Sequence, residues 1–433
     1  MFSTRGDRLD KGLVLTTHKP RQLGSYIARC CDLSESSRKE TLIAQSNMNL
    51  LNDIEAFLSG LRRCSKCLLP ETFPNIEFDE YGVCNYCRNY RPIKVLGEEE
   101  LIKALDKYRG KGNKYDCLVA VSGGRDSTYV LHQLVTKYNM NALALTVDSG
   151  FITEEGHHNI KVITKTLGVD HVYIRDELLV EISWKNLKRM IHAWLKKPSI
   201  NTIVPTLNAA DKTMNLQIYR YAHENKIPLV IGGNNIGNCS FEQEHFKTGY
   251  MGVFPDERGN YTTRGKLKLG TLFAWEFLKN TAHYNWSLFE SYAKGTIVYF
   301  FESLLKPSDV ETLGFYDYIY WNEKEILPTI TSIGWTSAGD TSATWRIDDI
   351  MYPLIDYIYL RLVGFNEFDE FYSKLIREGQ ISREEALKRC LSERMPRPTV
   401  FHHLLERLDI SKEKLDEILD NYRVKLLPKL LKK

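Results

Sequence analysis

LVAVSGGRDSTYVL, residues 118–131, sets an aliphatic run against a glycine pair, two serines and an aspartate, and then passes straight into a helical pattern. That order has a chemical meaning. Gly123 and Gly124 let the backbone approach a ligand closely and reach positive φ, while the N–H groups opening the next helix point at whatever lies there. Ser122, Ser127 and Thr128 add hydroxyl donors, and Asp126 stands where a helix cap or a magnesium ligand belongs. A lone glycine pair reads as a tight capped turn. Six suitable positions between strand and helix instead favour an anion site. It is not a Walker loop, because no Gly-Lys-Ser/Thr ending follows.

Outward from this stretch, short aliphatic runs recur at Cys117–Val121, Ala142–Val147, His171–Ile174 and Pro228–Ile231, bounded by Gly, Asp or Asn. Helical patterns at 126–138, 156–167, 178–196 and 204–226 separate them. Strands alternating with helices imply an α/β fold, a doubly wound parallel sheet. Four segments are expected. Residues 1–47 are polar and aperiodic, an extension with no need of order. Residues 48–95 hold a short helix (Leu50, Leu51, Ile54, Phe57, Leu58, Leu61) and a cysteine module, 96–270 the α/β domain, and 271–433 a helical C-terminal region. The aromatic residues from Trp275 to Tyr299 read as packing rather than a base-stacking platform.

Of nine cysteines in 433 residues, four form Cys64-x2-Cys67 and Cys84-x2-Cys87, with sixteen residues between the pairs. Two such knuckles bring four thiolates to one tetrahedral ion, and a site with no open position is structural. Zinc (Zn2+) is favoured, since the knuckles make a self-contained ribbon; an iron-sulfur cluster is the competitor. The net charge of +3 gives no footprint for nucleic acid. No stretch approaches the roughly 20 apolar residues of a membrane span, and the first residues lack a secretory apolar region, so a cytoplasmic enzyme without membrane association is expected.

SGGRDS resembles the SGGxDS signature of the PP-loop, or N-type, ATP pyrophosphatases, whose HUP-like fold would be the sheet just described. The resemblance implies that ATP is cut between its α and β phosphates, with AMP left on a substrate oxygen. By that resemblance Ser122, Gly123, Gly124, Ser127 and Thr128 hold phosphate, Asp126 organises magnesium (Mg2+), and Asp126, Ser122 and Ser127 are the catalytic candidates. Adenine contacts would come from Ala120, Val121, Thr146, Val147 and Asp148, and a nucleotide turn from Gly233 and Asn234.

RRCSKCLLPETFPNIEFDEYGVCNYC (62–87), SGGRDS and FDEFYSKLIREGQISREEALKRC (368–390) together resemble the N-acetyl sugar amidotransferase family. That family makes acetamidino groups on bacterial surface sugars such as nonulosonic acid or lipopolysaccharide precursors. The implied substrate is an acetamido sugar or sugar nucleotide. The implied partners are a separate glutaminase and an ammonia-channelling, cyclase-like subunit. In keeping with an external ammonia source, residue 2 is Phe rather than an N-terminal cysteine nucleophile.

Two other readings stand beside this one. A sulfurtransferase would use Cys239, although 201–212 lacks the second cysteine that thiolating relatives carry. A zinc ribbon with a basic tail at 423–433 would suit a non-catalytic RNA-binding or assembly protein. Glu244 is a substrate candidate, for which a solvated helix face is the plainer account. His157 and His158 read as helix-start residues, Arg125 as either solvent-facing or phosphate-binding, and 381–389 as a well-capped helix begun by Ser382. The polar segment GWTSAGDTSATWRIDD, 334–349, is expected to cover a site and touch sugar hydroxyls.

Overall fold

Strands rich in aliphatic residues on both faces need cover on both sides, and this requirement shapes the chain. The structure is a computed structural model that describes residues 54–207, 214–232, 249–254, 261–279 and 306–432. The expectations for residues 1–47, Leu50, Leu51, Gly233, Asn234, Cys239 and Glu244 fall outside these residues.

Five strands, β1 (Cys117–Ala120), β2 (Ala142–Val147), β3 (His171–Ile174), β4 (Leu229–Gly232) and β5 (Glu311–Gly314), form one sheet in the order β3-β2-β1-β4-β5. Every pairing is parallel, with Cys117 opposite Ala142, Ala144 opposite His171, Leu118 opposite Val230 and Leu229 opposite Glu311. Val119, Ala144 and Ile231 face one layer, built from α1 (Glu98–Asp106), α2 (Arg125–His132), α3 (Glu154–Leu167) and α4 (Glu323–Ser332). Leu118, Leu143, Leu145 and Val230 face the other, where α5 (Met214–Glu224) supplies Ile218, Tyr219 and Ala222. The sheet is therefore doubly wound.

The fifth strand is an addition to the four expected. Its sequence, ETLG, is no aliphatic run, because Glu311 and Thr312 lie on a sheet edge and only Leu313 and Gly314 are buried. It sits inside the stretch read as helical. Beyond it that stretch is helical, with α6 (Tyr352–Val363), α7 (Glu367–Arg377), α8 (Arg383–Glu393), α9 (Pro398–Leu408) and α10 (Lys412–Leu430). α6 is buried along its whole length. α8 starts as expected, with the Ser382 hydroxyl accepting from the Glu385 N–H at 3.1 Å. Trp275, expected to pack, lies exposed on the helix Thr263–Lys279.

The cysteine module docks onto these C-terminal helices through polar contacts. Arg63 pairs with Asp369 at 2.6 Å and donates to the Gly364 carbonyl at 2.8 Å. The Leu68 N–H donates to the Ser373 hydroxyl at 3.0 Å. Arg383 donates to the carbonyls of both Cys64 and Cys67 at 3.2 Å.

From β1 the chain moves to β2 and β3 on one side, then crosses back to β4 and β5 on the other. The turn after β1 thus lies at the topological switch point, where open α/β sheets bind ligands. Gly123 in that turn has φ of +81°, and a Cβ there would stand 2.1 Å from the Gly156 carbonyl oxygen. Gly123→Ala should destabilise the fold by about 2–4 kcal/mol through strained φ and backbone collision together. Urea unfolding checks this, and an unchanged midpoint would contradict the packing of this turn.

Candidate active site and cysteine centre

β1 ends at Ala120 and α2 begins at Arg125, so four residues make the whole turn. The turn closes on itself. The Ser122 and Ser127 hydroxyls lie 3.3 Å apart, and the Gly124 N–H approaches the Ser122 hydroxyl at 3.4 Å. Trp335 Nε1 at 3.0 Å and Asn159 Nδ2 at 3.2 Å both donate to the Gly123 carbonyl, which fixes the orientation of the loop's peptide planes.

The polar segment 334–349 runs alongside the loop as a strap. Asn159 also joins Thr336 through its N–H and carbonyl, at 3.0 and 2.9 Å. Thr153, the N-cap of α3, donates its hydroxyl to the Ile347 carbonyl at 2.6 Å and its N–H to the Asp348 carbonyl at 3.0 Å. Ile350 returns an N–H to the Phe151 carbonyl at 3.0 Å. Arg397 secures the strap from behind, reaching Asp340 at 2.8 Å, Glu155 at 2.7 Å and the Ile347 carbonyl at 2.9 Å. The Asp348 carboxylate lies so close to the loop that a Cβ on Gly124 would meet its Oδ2 at 2.6 Å.

Loop and strap together enclose a cavity of about 260 Å³ at the strand ends. Ala120, Val121, Ser122, Gly124, Asp126, Ser127 and Val147 line it, as do Trp345, Arg346, Asp348, Asp349 and Tyr352 from the strap and its continuation. Gly123 and Thr128 are not in the lining; Thr128 is buried in the first turn of α2. Asp148 is also outside it. Its buried carboxylate accepts from the Tyr173 hydroxyl, Arg175 and the Gly150 N–H, and lies 3.6 Å from His157. Burial pushes the Asp148 carboxyl up, but these donors outweigh it and hold the group below its ordinary value.

Arg125 takes neither of the orientations expected of it. Its guanidinium is buried beneath the loop, 3.2 Å from Asp126, 3.0 Å from Glu323 and 3.1 Å from the Thr344 hydroxyl, over the Trp321 ring at 4.8 Å. Trp321 Nε1 donates to the same Asp126 oxygen at 2.8 Å, so two donors orient that carboxylate. Glu323 is shared with Arg389 at 2.6 Å; Arg389 reaches Glu393 at 3.0 Å, and Glu393 accepts from the Tyr372 hydroxyl at 2.5 Å. Burial would raise the Glu323 carboxyl, but Arg389 and Arg125 hold it below its ordinary value. Nothing periodic in the sequence announces this chain, whose contacts join residues up to 219 positions apart.

The four cysteines come together as the knuckle spacing requires. All four are buried, with Sγ atoms within 4.8 Å of one another, Cys67 and Cys84 at 3.7 Å and Cys64 and Cys87 at 4.0 Å. A tetrahedral ion bound at about 2.3 Å holds its sulfurs about 3.8 Å apart. A cubane cluster, with each thiolate on a different iron, spreads them farther. Backbone N–H groups of Cys67 and Cys84 point at Cys64 Sγ from 3.4 and 3.2 Å. Hydrogen bonds from Cys67, Cys84 and Cys87 pull the Cys64 thiol well below its usual range, while Cys84 and Cys87 are pushed up. Four sulfurs this close cannot all ionise without a cation among them. Beside them lies Arg377, with Nε and Nη1 buried and without hydrogen-bond partners, a positive charge facing a prospective dianionic metal complex. The donor set fits a four-thiolate metal ion.

Residues 351–428 match a family described as LPS biosynthesis protein WbpG-like, C-terminal domain. The uncharacterized protein MJ1599 of Methanocaldococcus jannaschii is 30% identical over 112 residues, 25% of this chain and 40% of that protein. The match therefore spans well under half the length of that relative. Among solved structures, the NMN synthetase of Francisella tularensis is 19% identical, covering 41% of this chain and 68% of that one with a TM-score of 0.24. The NH3-dependent NAD synthetase of Campylobacter jejuni is 16% identical, covering 47% and 92% with a TM-score of 0.23. The U34-tRNA thiolase NcsA of Methanococcus maripaludis, solved with its 4Fe-4S cluster, is 15% identical, covering 76% and 88% with a TM-score of 0.32. Likeness at this level of superposition carries no functional weight. No described helix is long and apolar enough to cross a membrane.

Elemental analysis of purified protein should find one metal ion per chain, and Cys67→Ala should lose it together with folded yield; an equally metallated, equally stable variant would contradict a shared site. Glu323→Gln leaves Arg125 short of its buried counter-charge and should cost about 3–5 kcal/mol in urea unfolding at neutral pH. Because the Glu323 carboxyl is held below its ordinary value, its contribution is present above the carboxylate range and is lost as pH falls through the depressed value. The difference between wild type and variant should therefore shrink in acid.

Proposed function

We propose that this chain is an ATP-dependent amidotransferase that converts the acetamido group of an N-acetyl sugar, a surface polysaccharide or nonulosonic acid precursor, into an acetamidino group. The observation that carries this reading is the glycine turn at the sheet's switch point, facing a cavity with Asp126 held in place by Trp321 and Arg125. The lipopolysaccharide-biosynthesis description of the family matching 351–428 supports the choice of acceptor.

In this reading the acetamido oxygen attacks the α-phosphorus of ATP, the bond to the bridging oxygen breaks, and pyrophosphate leaves. Ammonia then adds to the activated carbon, AMP departs with the former amide oxygen, and loss of a proton leaves the amidine. The loop N–H groups and the hydroxyls of Ser122 and Ser127 bind and orient the phosphates, so positioning supplies much of the gain. Asp126, with Asp348 across the loop, offers the hard oxygen donors that magnesium requires. When bound, the ion neutralises phosphate charge. The strap excludes water that would hydrolyse the activated intermediate.

Ammonia would arrive from a separate glutaminase through a cyclase-like subunit. Outside the metal group, the described cysteines are Cys117 and Cys390, both buried, with thiols raised by burial. Neither suits a glutaminase nucleophile or a persulfide carrier.

Purified protein given ATP, magnesium, ammonium chloride and a panel of acetamido sugars and sugar nucleotides should release AMP and pyrophosphate. The sugar should become about one mass unit lighter as O gives way to NH. Turnover that requires a sulfur donor, or AMP release with the sugar unchanged, would overturn the amidotransferase reading. Asp126→Asn should lower turnover at least about a hundredfold, a larger loss than the stability it costs by removing one counter-charge of the buried Arg125.

A further inference from the structure

A polyphosphate carries up to four negative charges, and the cavity that would receive it is lined by three carboxylates, those of Asp126, Asp348 and Asp349. The glycine loop contains no lysine. The lining includes two cationic side chains, Arg125 and Arg346. Arg125 is already committed beneath the loop to Asp126, Glu323 and Thr344. Among the described residues, the other is Arg346, on the strap opposite.

Arg346 is built into place at a conformational cost. Its φ of +59° lies in the left-handed region, which β-carbon-bearing residues other than Asn and Asp seldom adopt. Of the five described non-glycine residues with positive φ, three are Asn or Asp, and Lys226 follows the end of α5. Arg346 stands mid-strap in the wall of the cavity. Its guanidinium lies over the Tyr352 ring at 3.9 Å and the Trp345 ring at 4.9 Å, with Nε 3.3 Å from the Glu367 carboxylate. Two rings and one carboxylate fix the plane of a charged fork whose geometry matches phosphate oxygens. A strained backbone held by surrounding structure at a cavity wall is a mark of functional placement.

We propose that Arg346 is the phosphate-binding cation of this site, engaging the β- and γ-phosphates of the nucleotide and then the departing pyrophosphate. It supplies from the strap the charge that the lysine-free loop lacks. This rests on the nucleotide reading above, and deepens it by assigning the polyphosphate end of the cavity to the strap side.

Calorimetric titration of full-length wild type, Arg346→Gln and Arg346→Lys with magnesium ATP, magnesium pyrophosphate and AMP tests it. In Arg346→Gln, ATP and pyrophosphate should bind about tenfold or more weakly and AMP within about twofold of wild type, with Arg346→Lys between. Arg346→Gly relieves the positive φ but leaves the buried Glu367 without this partner, so its fold is checked by circular dichroism at the titration temperature; the folded variant should show the same pyrophosphate loss with AMP affinity kept, which separates binding from folding. Unchanged pyrophosphate affinity in Arg346→Gln overturns the proposal, as does equal weakening of AMP and pyrophosphate. Wild-type protein that binds neither ATP nor pyrophosphate overturns the nucleotide reading itself, and the assignment of Arg346 with it.

Discussion

A guanidinium buried beneath a glycine turn must find its counter-charges nearby, and Arg125 finds them on two separate parts of the chain. Asp126 is its immediate neighbour, whereas Glu323 opens a helix 198 residues on. An isolated charge in such a place would cost several kcal/mol, so the loop and the C-terminal region hold their present relation or neither is stable. The same contact gives Asp126 its orientation. Stability and site geometry thus depend on one ion pair, and neither can be altered alone.

From Glu323 the charges continue into α8, and α8 carries them to the cysteine module. Arg389 faces Glu323 from one part of that helix, while Arg383, nearly two turns earlier, donates to the carbonyls of Cys64 and Cys67. Arg377 on the neighbouring helix α7 lies against the thiols themselves. The four-cysteine cluster and the loop are therefore two ends of one polar scaffold. The Ser382 cap that made α8 easy to anticipate says nothing of this, since it starts the helix whatever the far face touches.

Three of the five strands, β1, β2 and β4, were legible because they are buried on both faces and therefore written almost wholly in aliphatic residues, as in Leu118, Val119, Leu143, Leu145, Val230 and Ile231; β3, a partly exposed edge strand, was legible only through its β-branched Val172 and Ile174. β5 was not. An edge strand of four residues with Glu311 and Thr312 partly exposed leaves no periodic trace. The cysteine module was legible because metal geometry dictates spacing. Arg125 was misjudged, since position in a motif says nothing of what lies beneath it, and Trp321, Glu323 and Arg389 come from distant segments with no local signal. The polar composition of 334–349 marks it as a covering loop, but Thr, Ser and Gly dominate the stretch and hide the wall-forming carboxylates and arginine among them.

The wall of the cavity has a further consequence for the order in which the molecule is made. Trp335 grips the Gly123 carbonyl from 212 residues downstream, and Asp348 and Arg346 come later still. A chain leaving the ribosome lays down β1 to β4 and the glycine turn long before the strap exists, so the early product presents an open half-site with Arg125 lacking Glu323. The wall of the cavity is completed only in the last quarter of synthesis. Any product that stops before Glu323 leaves Arg125 with Asp126 as its one remaining acidic partner of the two, which marks it for destabilisation.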